Sequence, residues 1–344
     1  VIDILRAGLL TTVQDLGRTG QREFGVASGG AIDPLACIVA NRLTGNELNA
    51  ATLEITMGTC ALRFSSATVV ALTGADCHAD LDGVPVWSWW RFPVERGQTL
   101  TLRPSRFGMR TYLAVAGGID VPVALGSCST DLAAGFGGHE GRALRDGDRL
   151  GIGKGGKGGK GHASADTRNV APLGVRPPLW LSDPLAHRVR VLPGPEYDDF
   201  TAATHKTFWE NPWQVTPNSN RMGYRLAGPE ALSRKKNRAN DLPSHGVLPG
   251  VIQVPPSGQP IILLADAQTT GGYPKIGTVI SADLWRLGQA RLGSTLYFSE
   301  CTQAEAREAW REQLRYLAQI ERALAWHDRG ILDTPRRPAI TRKR

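Results

Sequence analysis

Five cysteines (Cys37, Cys60, Cys77, Cys128 and Cys301) are spread through 344 residues, odd in number and without a CxxC pair. That spacing excludes a disulfide framework and a zinc ribbon, and it suits reduced thiols in a cytoplasm. The histidines show neither metal-ligand spacing nor HExxH, and no GxSxG elbow is present. Neither a resident metal nor a lone serine nucleophile is therefore expected. No apolar run approaches the ~18 residues a membrane-spanning helix needs. The opening VIDILRAGLL carries charge inside its apolar stretch, unlike a signal peptide. Acidic residues are missing from two basic stretches, a glycine-rich run with Lys154, Lys157 and Lys160 and a tail with Arg336, Arg337, Arg342, Lys343 and Arg344. Their eight charges equal the net charge of +8, so the rest of the chain is balanced. The basic pI describes two segments rather than a nucleic-acid-binding face, and no nucleic-acid or membrane partner is expected.

What is present fits an ordinary globular protein of about two domains, with 41% hydrophobic and 21% charged residues. Forty glycines and 22 prolines favour short strands joined by turns. ALRF, TVVALTG, QTLTLRP and RTYLAVAGG read as strands in the first half; HRVRVLPG, GVIQVPP, PIILLAD and STLYFSE resume the pattern in the second. DPLACIVANRLTGN reads as a helix, with Asp33 as N-cap, Pro34 in the first turn and Gly45 as the stop. A last helix carries a Thr302/Glu305 capping box and an apolar stripe of Trp310, Leu314, Leu317, Ile320 and Leu324. VWSWWRF, read as a strand, puts Trp87 and Trp89 on one face and Trp90 on the other. GIGKGGKG approximates a phosphate loop, but Gly158 stands where a magnesium-binding Ser or Thr belongs, so the run reads as a linker. The organisation expected is a first subdomain over 1–152, a Gly/Lys-rich linker over 153–170, a second subdomain over 171–300, a helix over 301–330 and a basic tail over 331–344.

The polar loops are where chemistry is expected. DAQTTGGYPK, directly after an apolar strand, holds more polar equipment than a turn requires. Asp266 offers a base or orienting carboxylate; Gln268, Thr269 and Thr270 offer neutral hydrogen bonds; Gly271 and Gly272 offer backbone donors; Tyr273 and Lys275 offer a proton or oxyanion support. In NSNRMGYRLAG, Arg221 and Arg225 suit a carboxylate held by planar forks. Arg18, in a glycine-marked turn, and Ser28 and Gly29, in a loop opening the first helix, are further anion-binding candidates. A hairpin connection or a locally satisfied loop remains the alternative for each.

Taken together, GLLTTVQDLGRTG, GVASGGAIDPLACIVANRLTGN, LTGAD, YLAVAGGID, LGSCSTDL, RVLPGPEYDDF, SNRMGYRLAG and GVIQVPPSGQPIILLADAQTTGGYPKIGTVISADLWRLGQ resemble the biotin-dependent carboxyltransferase family, also called allophanate-hydrolase subunit 2 and including proteins like the C-subunit of 5-oxoprolinase. The resemblance implies a mainly β fold with a few helices, a cyclophilin-like β-barrel architecture in two subdomains with the site between them. It implies a component of an ATP-dependent 5-oxoprolinase-type complex, working beside partners like the A- and B-subunits of that enzyme on a small carboxylate-bearing amide or lactam. It leaves open carboxyl transfer of the urea carboxylase type, and a non-catalytic regulator that antagonises a histidine-kinase inhibitor. The chain's three methionines (Met57, Met109 and Met222) sit beside no lysine, so no covalently held biotin is expected. Carboxybiotin or ATP, if used, would come from other subunits.

Overall fold

The structure, a computed structural model, describes residues 1–153, 170–178, 186–236 and 242–328. Lys154 to Asn169 of the Gly/Lys-rich run, and the basic tail, lie outside the described residues. The fold is mainly β, with four α-helices among the described residues: α1 (Pro34–Thr44), α2 (Ala202–Glu210), α3 (Leu284–Gln289) and α4 (Gln303–Asp328).

The first half packs two sheets face to face. One has seven strands, centred on Ile2–Arg6, Cys60–Phe64 and Thr99–Leu102; the other has six, centred on Thr68–Asp76, Phe107–Val115 and Thr52–Thr56. Alternation sends Ile2, Ile4, Leu62, Phe64 and Leu100 from one sheet against Leu53, Ile55, Leu72 and Leu113 from the other, a single core between two pleated faces. The second half closes a seven-stranded barrel. Its first strand, Ala186–Pro193, pairs antiparallel with Lys275–Val279 and parallel with Thr295–Glu300, which leaves no open edge. Val191, Trp213, Tyr224, Ile252, Ile262 and Phe298 fill it. The two halves interlock. Ile32 of the first packs in the barrel's core, and Trp285 of the second joins α1 and α4 over the outer face of the six-stranded sheet. Leu173–Gly174, beyond the linker, adds an edge strand to that sheet by pairing with Trp90 and Arg91.

The helix signals in the sequence have physical counterparts. Asp33 Oδ1 accepts from Ala36 N–H at 2.8 Å, and Gly45 stops α1 in the left-handed region at φ 73°. Thr302 and Glu305 form the reciprocal cap of α4. The apolar stripe of α4 is placed differently from expectation. Ala309, Ile320 and Leu324 are buried, whereas Trp310 and Leu314 are 43% and 47% exposed. The helix docks through its small and C-terminal residues, so the large side chains end up on its flank. VWSWWRF also departs from the strand reading. Trp89 sits in a turn at φ 65°, buried, with Nε1 donating to Gly74 O at 3.0 Å, while Trp87 is exposed.

All five cysteines are free. Burial pushes the Cys37 and Cys60 thiols up to about 12 and that of Cys77 to about 11. Cys128 is only half-buried. Alkylation of the native protein at pH 8, followed by mass spectrometry, is expected to label Cys128 first and to reach Cys37, Cys60 and Cys77 only on unfolding.

Candidate functional site

Two neighbouring features gather the residues singled out in the sequence: a buried polar junction between the halves, and an open cleft on the barrel. Arg221, in the turn before the strand Gly223–Ala227, holds the junction together. Its Nε donates to Asp266 Oδ2 at 2.7 Å and its Nη2 to Asp266 Oδ1 at 3.0 Å and to Gly30 O at 2.7 Å; its Nη1 donates to Glu54 Oε1. Glu54, on a strand of the first half, also accepts from Tyr112 Oη–H at 2.6 Å and Ile32 N–H at 3.1 Å, and Arg110 Nε lies 3.6 Å away. One guanidinium thus joins two carboxylates and a carbonyl from three distant segments. Arg221, expected to hold a ligand carboxylate, and Asp266, expected as a base or an orienting carboxylate, are here engaged by each other, and the two bonds from Arg221 fit the orienting role for Asp266.

The first-half turns meet the same junction without opening onto the cleft. Gly29 N–H donates to Ala265 O at 3.0 Å. A Cβ on Gly30, where φ is 89°, would stand 2.7 Å from the nitrogen of Gly17. The glycines here admit another backbone segment, not a ligand. Asp33 occupies the N-terminus of α1, which removes the anion site expected there. Ser28 Oγ accepts from Arg22 Nη1 at 3.0 Å, and Arg22 Nη2 crosses to Val247 O. Arg18 is buried over the Phe136 ring at 4.4 Å, with Nε donating to Ala124 O at 3.3 Å. None of the three lines the cleft: Arg18 is held by Ala124, Ser129 and Phe136 of the first half, Ser28 by Arg22, and Gly29 by Ala265 beside the junction.

The cleft has a volume of about 480 Å³ and is lined entirely from the second half. Of the residues expected from the sequence it brings together Arg225, Gln268 and Tyr273. The exposed guanidinium of Arg225 has no ion pair among the described residues. Asn220, Met222, Gln253, Ser257, Ile261 and Leu263 complete much of the wall. Sequence reasoning missed Gln253, although it is the one polar side chain inside the apolar run GVIQVPP. The remaining loop residues take other places. Thr270–Gly271 forms a short ladder with His245–Gly246, and Thr269 O accepts from Val247 N–H at 3.0 Å. Gly272 O accepts from Leu242 N–H at 2.9 Å. Lys275, expected as a proton donor, is buried, with Nζ donating to Tyr273 O at 3.1 Å and 3.5 Å from Glu196. Burial lowers its pKa against the opposing pull of Glu196.

Burial alone would raise Glu54, but Arg221 and Arg110 outweigh it and hold the carboxyl below its ordinary value. A carboxyl depressed by folding adds stability above its unfolded pKa of about 4.3 and loses it as pH falls through the lower folded value. In denaturation across pH, the part of the stability gap between the wild type and Glu54→Gln that comes from the Glu54 carboxylate is expected to be lost as pH falls below about 4.3.

The barrel, the sandwich beside it and the cleft at the SNRMGYR and DAQTTGGYPK loops define the class. The chain belongs to the carboxyltransferase-domain family comprising subdomains A and B, whose model matches residues 24–300. It is 50% identical over 326 residues to the C-subunit of 5-oxoprolinase from Escherichia coli (strain K12), covering 95% of this chain and 98% of that protein. It is 31% identical over 309 residues to the urea amidolyase of Saccharomyces cerevisiae, covering 86% of this chain but 16% of that one. The crystal structure of the Kluyveromyces lactis urea carboxylase superposes with a TM-score of 0.82 at 29% identity, over 93% of this chain and 29% of that chain. These relatives support a component of an enzyme complex. No helix among the described residues is long and apolar enough to cross a membrane.

Proposed function

We propose that this chain is part of an ATP-dependent 5-oxoprolinase-type complex and that its barrel cleft receives a small carboxylate-bearing amide or lactam, with 5-oxoproline as the substrate and glutamate as the product. The observation that carries the reading is Arg225, exposed and without an ion pair among the described residues, in one cleft with Gln268 and Tyr273. The guanidinium holds the carboxylate as a planar fork. The Gln268 amide and Tyr273 hydroxyl supply neutral donors to the oxygen on which charge develops when the amide carbonyl is attacked. The 50% identity to a protein named as the C-subunit of 5-oxoprolinase supports the substrate class.

Three of the four helix N-termini among the described residues are already closed by the chain's own side chains. Asp33, Thr201 and Thr302 side chains cap α1, α2 and α4 themselves. ATP, or a carboxylated carrier if one is used, is on this reading brought by partners like the A- and B-subunits of 5-oxoprolinase. The similarity to urea amidolyase favours a second reading, carboxyl transfer to a urea-like amide at the same cleft. Mixing the chain with candidate partners, ATP and 5-oxoproline and measuring glutamate separates the two. Glutamate that depends on this chain supports the first. Turnover only with a biotinylated carrier and urea would replace it with the second.

A further inference from the structure

Gln253 makes an unusual use of its position. The residue lines the cleft yet is only 2% exposed, and its buried Nε2 has no hydrogen-bond partner among the described residues. A buried amide with its donors unmade is costly, so native proteins rarely keep one without a purpose. Two local features place it there. The ladder between Val251–Gln253 and Lys275–Val279 slips by one residue between Ile252 and Gln253, so that Ile252 faces Gly277 and Gln253 faces Lys275. Such a bulge re-aims a side chain, and bulges gather beside active sites. Across the loop, a Cβ on Gly271 would stand 2.6 Å from Gln253 Nε2, so the glycine leaves the space that the amide occupies.

We infer that Gln253 reads the cis-amide edge of the ligand, its side-chain N–H and C=O pairing with a ring C=O and N–H held on the same side. This rests on reading the cleft as a site for a small cyclic amide. A lactam and a cyclic urea both present that edge; an open-chain secondary amide in its trans form does not. Arg225 takes the carboxylate, and Ile261, Leu263 and Met222 offer apolar wall to the ring methylenes. Gln253 is a specificity-determining residue, and a site built to bond a ligand N–H rejects an analogue that lacks it.

The test is direct binding to the full chain of four probes: 5-oxoproline, 2-pyrrolidone, 2-imidazolidinone and cyclopentanecarboxylate. Gln253→Met keeps the side chain's length and removes its hydrogen bonds. It is expected to weaken the three cyclic amides by about tenfold or more while leaving cyclopentanecarboxylate unchanged. Gly271→Ala, which crowds the amide, is expected to weaken the same three probes and to add nothing further in the double variant. Unchanged melting temperatures show that both variants fold. Whichever of 2-pyrrolidone and 2-imidazolidinone binds the wild type more tightly identifies the ring as lactam or cyclic urea. Equal binding of all four probes by the wild type and Gln253→Met overturns the inference, as does failure of the wild type to bind any cyclic amide. The outcome is separable from that of the proposed reaction. If the reconstituted complex makes glutamate with an unchanged KM in Gln253→Met, the inference falls and the reaction stands. If no glutamate forms but Gln253→Met still selectively loses the cyclic amides, the reaction falls and the inference stands.

Discussion

Glu54→Gln is expected to destabilise the protein by about 3–5 kcal/mol at neutral pH, the cost of breaking a buried ion pair from one side. The substitution leaves Asp266 as the one carboxylate bonded to the buried Arg221, and takes from Arg110 the carboxylate 3.6 Å from its Nε. It also disturbs the acceptor of Tyr112 and Ile32, so three segments lose a shared anchor at once. Urea denaturation reads the loss as a lowered midpoint with an unchanged slope. Arg221→Met is expected to cost a similar amount. The double variant should cost less than the two singles summed, because the Glu54–Arg221 pair is then lost only once, although Asp266 loses its guanidinium in the double variant as in Arg221→Met. A loss below about 0.5 kcal/mol for Glu54→Gln would mean that the junction does not hold the halves together.

Arg225→Met is expected to act on the proposed reaction in the opposite manner, with no loss of stability and a fall of about 10²-fold in kcat/KM for glutamate formation by the reconstituted complex. Arg225 is exposed on its strand and makes no ion pair among the described residues. Its removal therefore takes away a charge-assisted bond to the ligand and nothing the fold depends on. Lysine at the same position keeps the charge and loses the fork, and is expected to recover only part of the rate. The contrast between positions 221 and 225 is informative because the sequence presents them as equivalent arginines one helical turn's spacing apart. One is a fastener and the other faces solvent in a cleft.

That contrast also marks where the sequence stops being legible. Local signals survive because their physics is local. Asp33, Pro34 and Gly45 bound α1, and Thr302 with Glu305 starts α4, because caps act over three or four residues. Gln268 and Tyr273 drew attention because their loop is more polar than a turn needs, and Arg225 because a planar fork suits a carboxylate; the structure puts all three on one cleft. The pairing of Arg221 with Glu54 spans 167 residues and depends on strand register, which no short motif encodes. The glycines of VASGGAIDP looked like a ligand's approach path, but the segment that approaches is the chain's own turn at Gly17. Trp310 and Leu314 fit the helical period, yet α4 docks through Ala309, Ile320 and Leu324, a choice made by the surface it meets. Gln253 escaped notice because a lone polar residue in an apolar strand becomes meaningful only when its amide is seen to lack a partner.

The proposed chemistry requires that ligand bind in the barrel cleft and not at the junction behind it. A structure of the reconstituted complex with 5-oxoproline bound decides between the two places. The expected result puts the carboxylate within hydrogen-bond distance of Arg225, with the ring beside Gln253 and Gln268. Density for the ligand among Arg18, Ser28 and Gly29, or an empty cleft at concentrations that saturate turnover, would refute it.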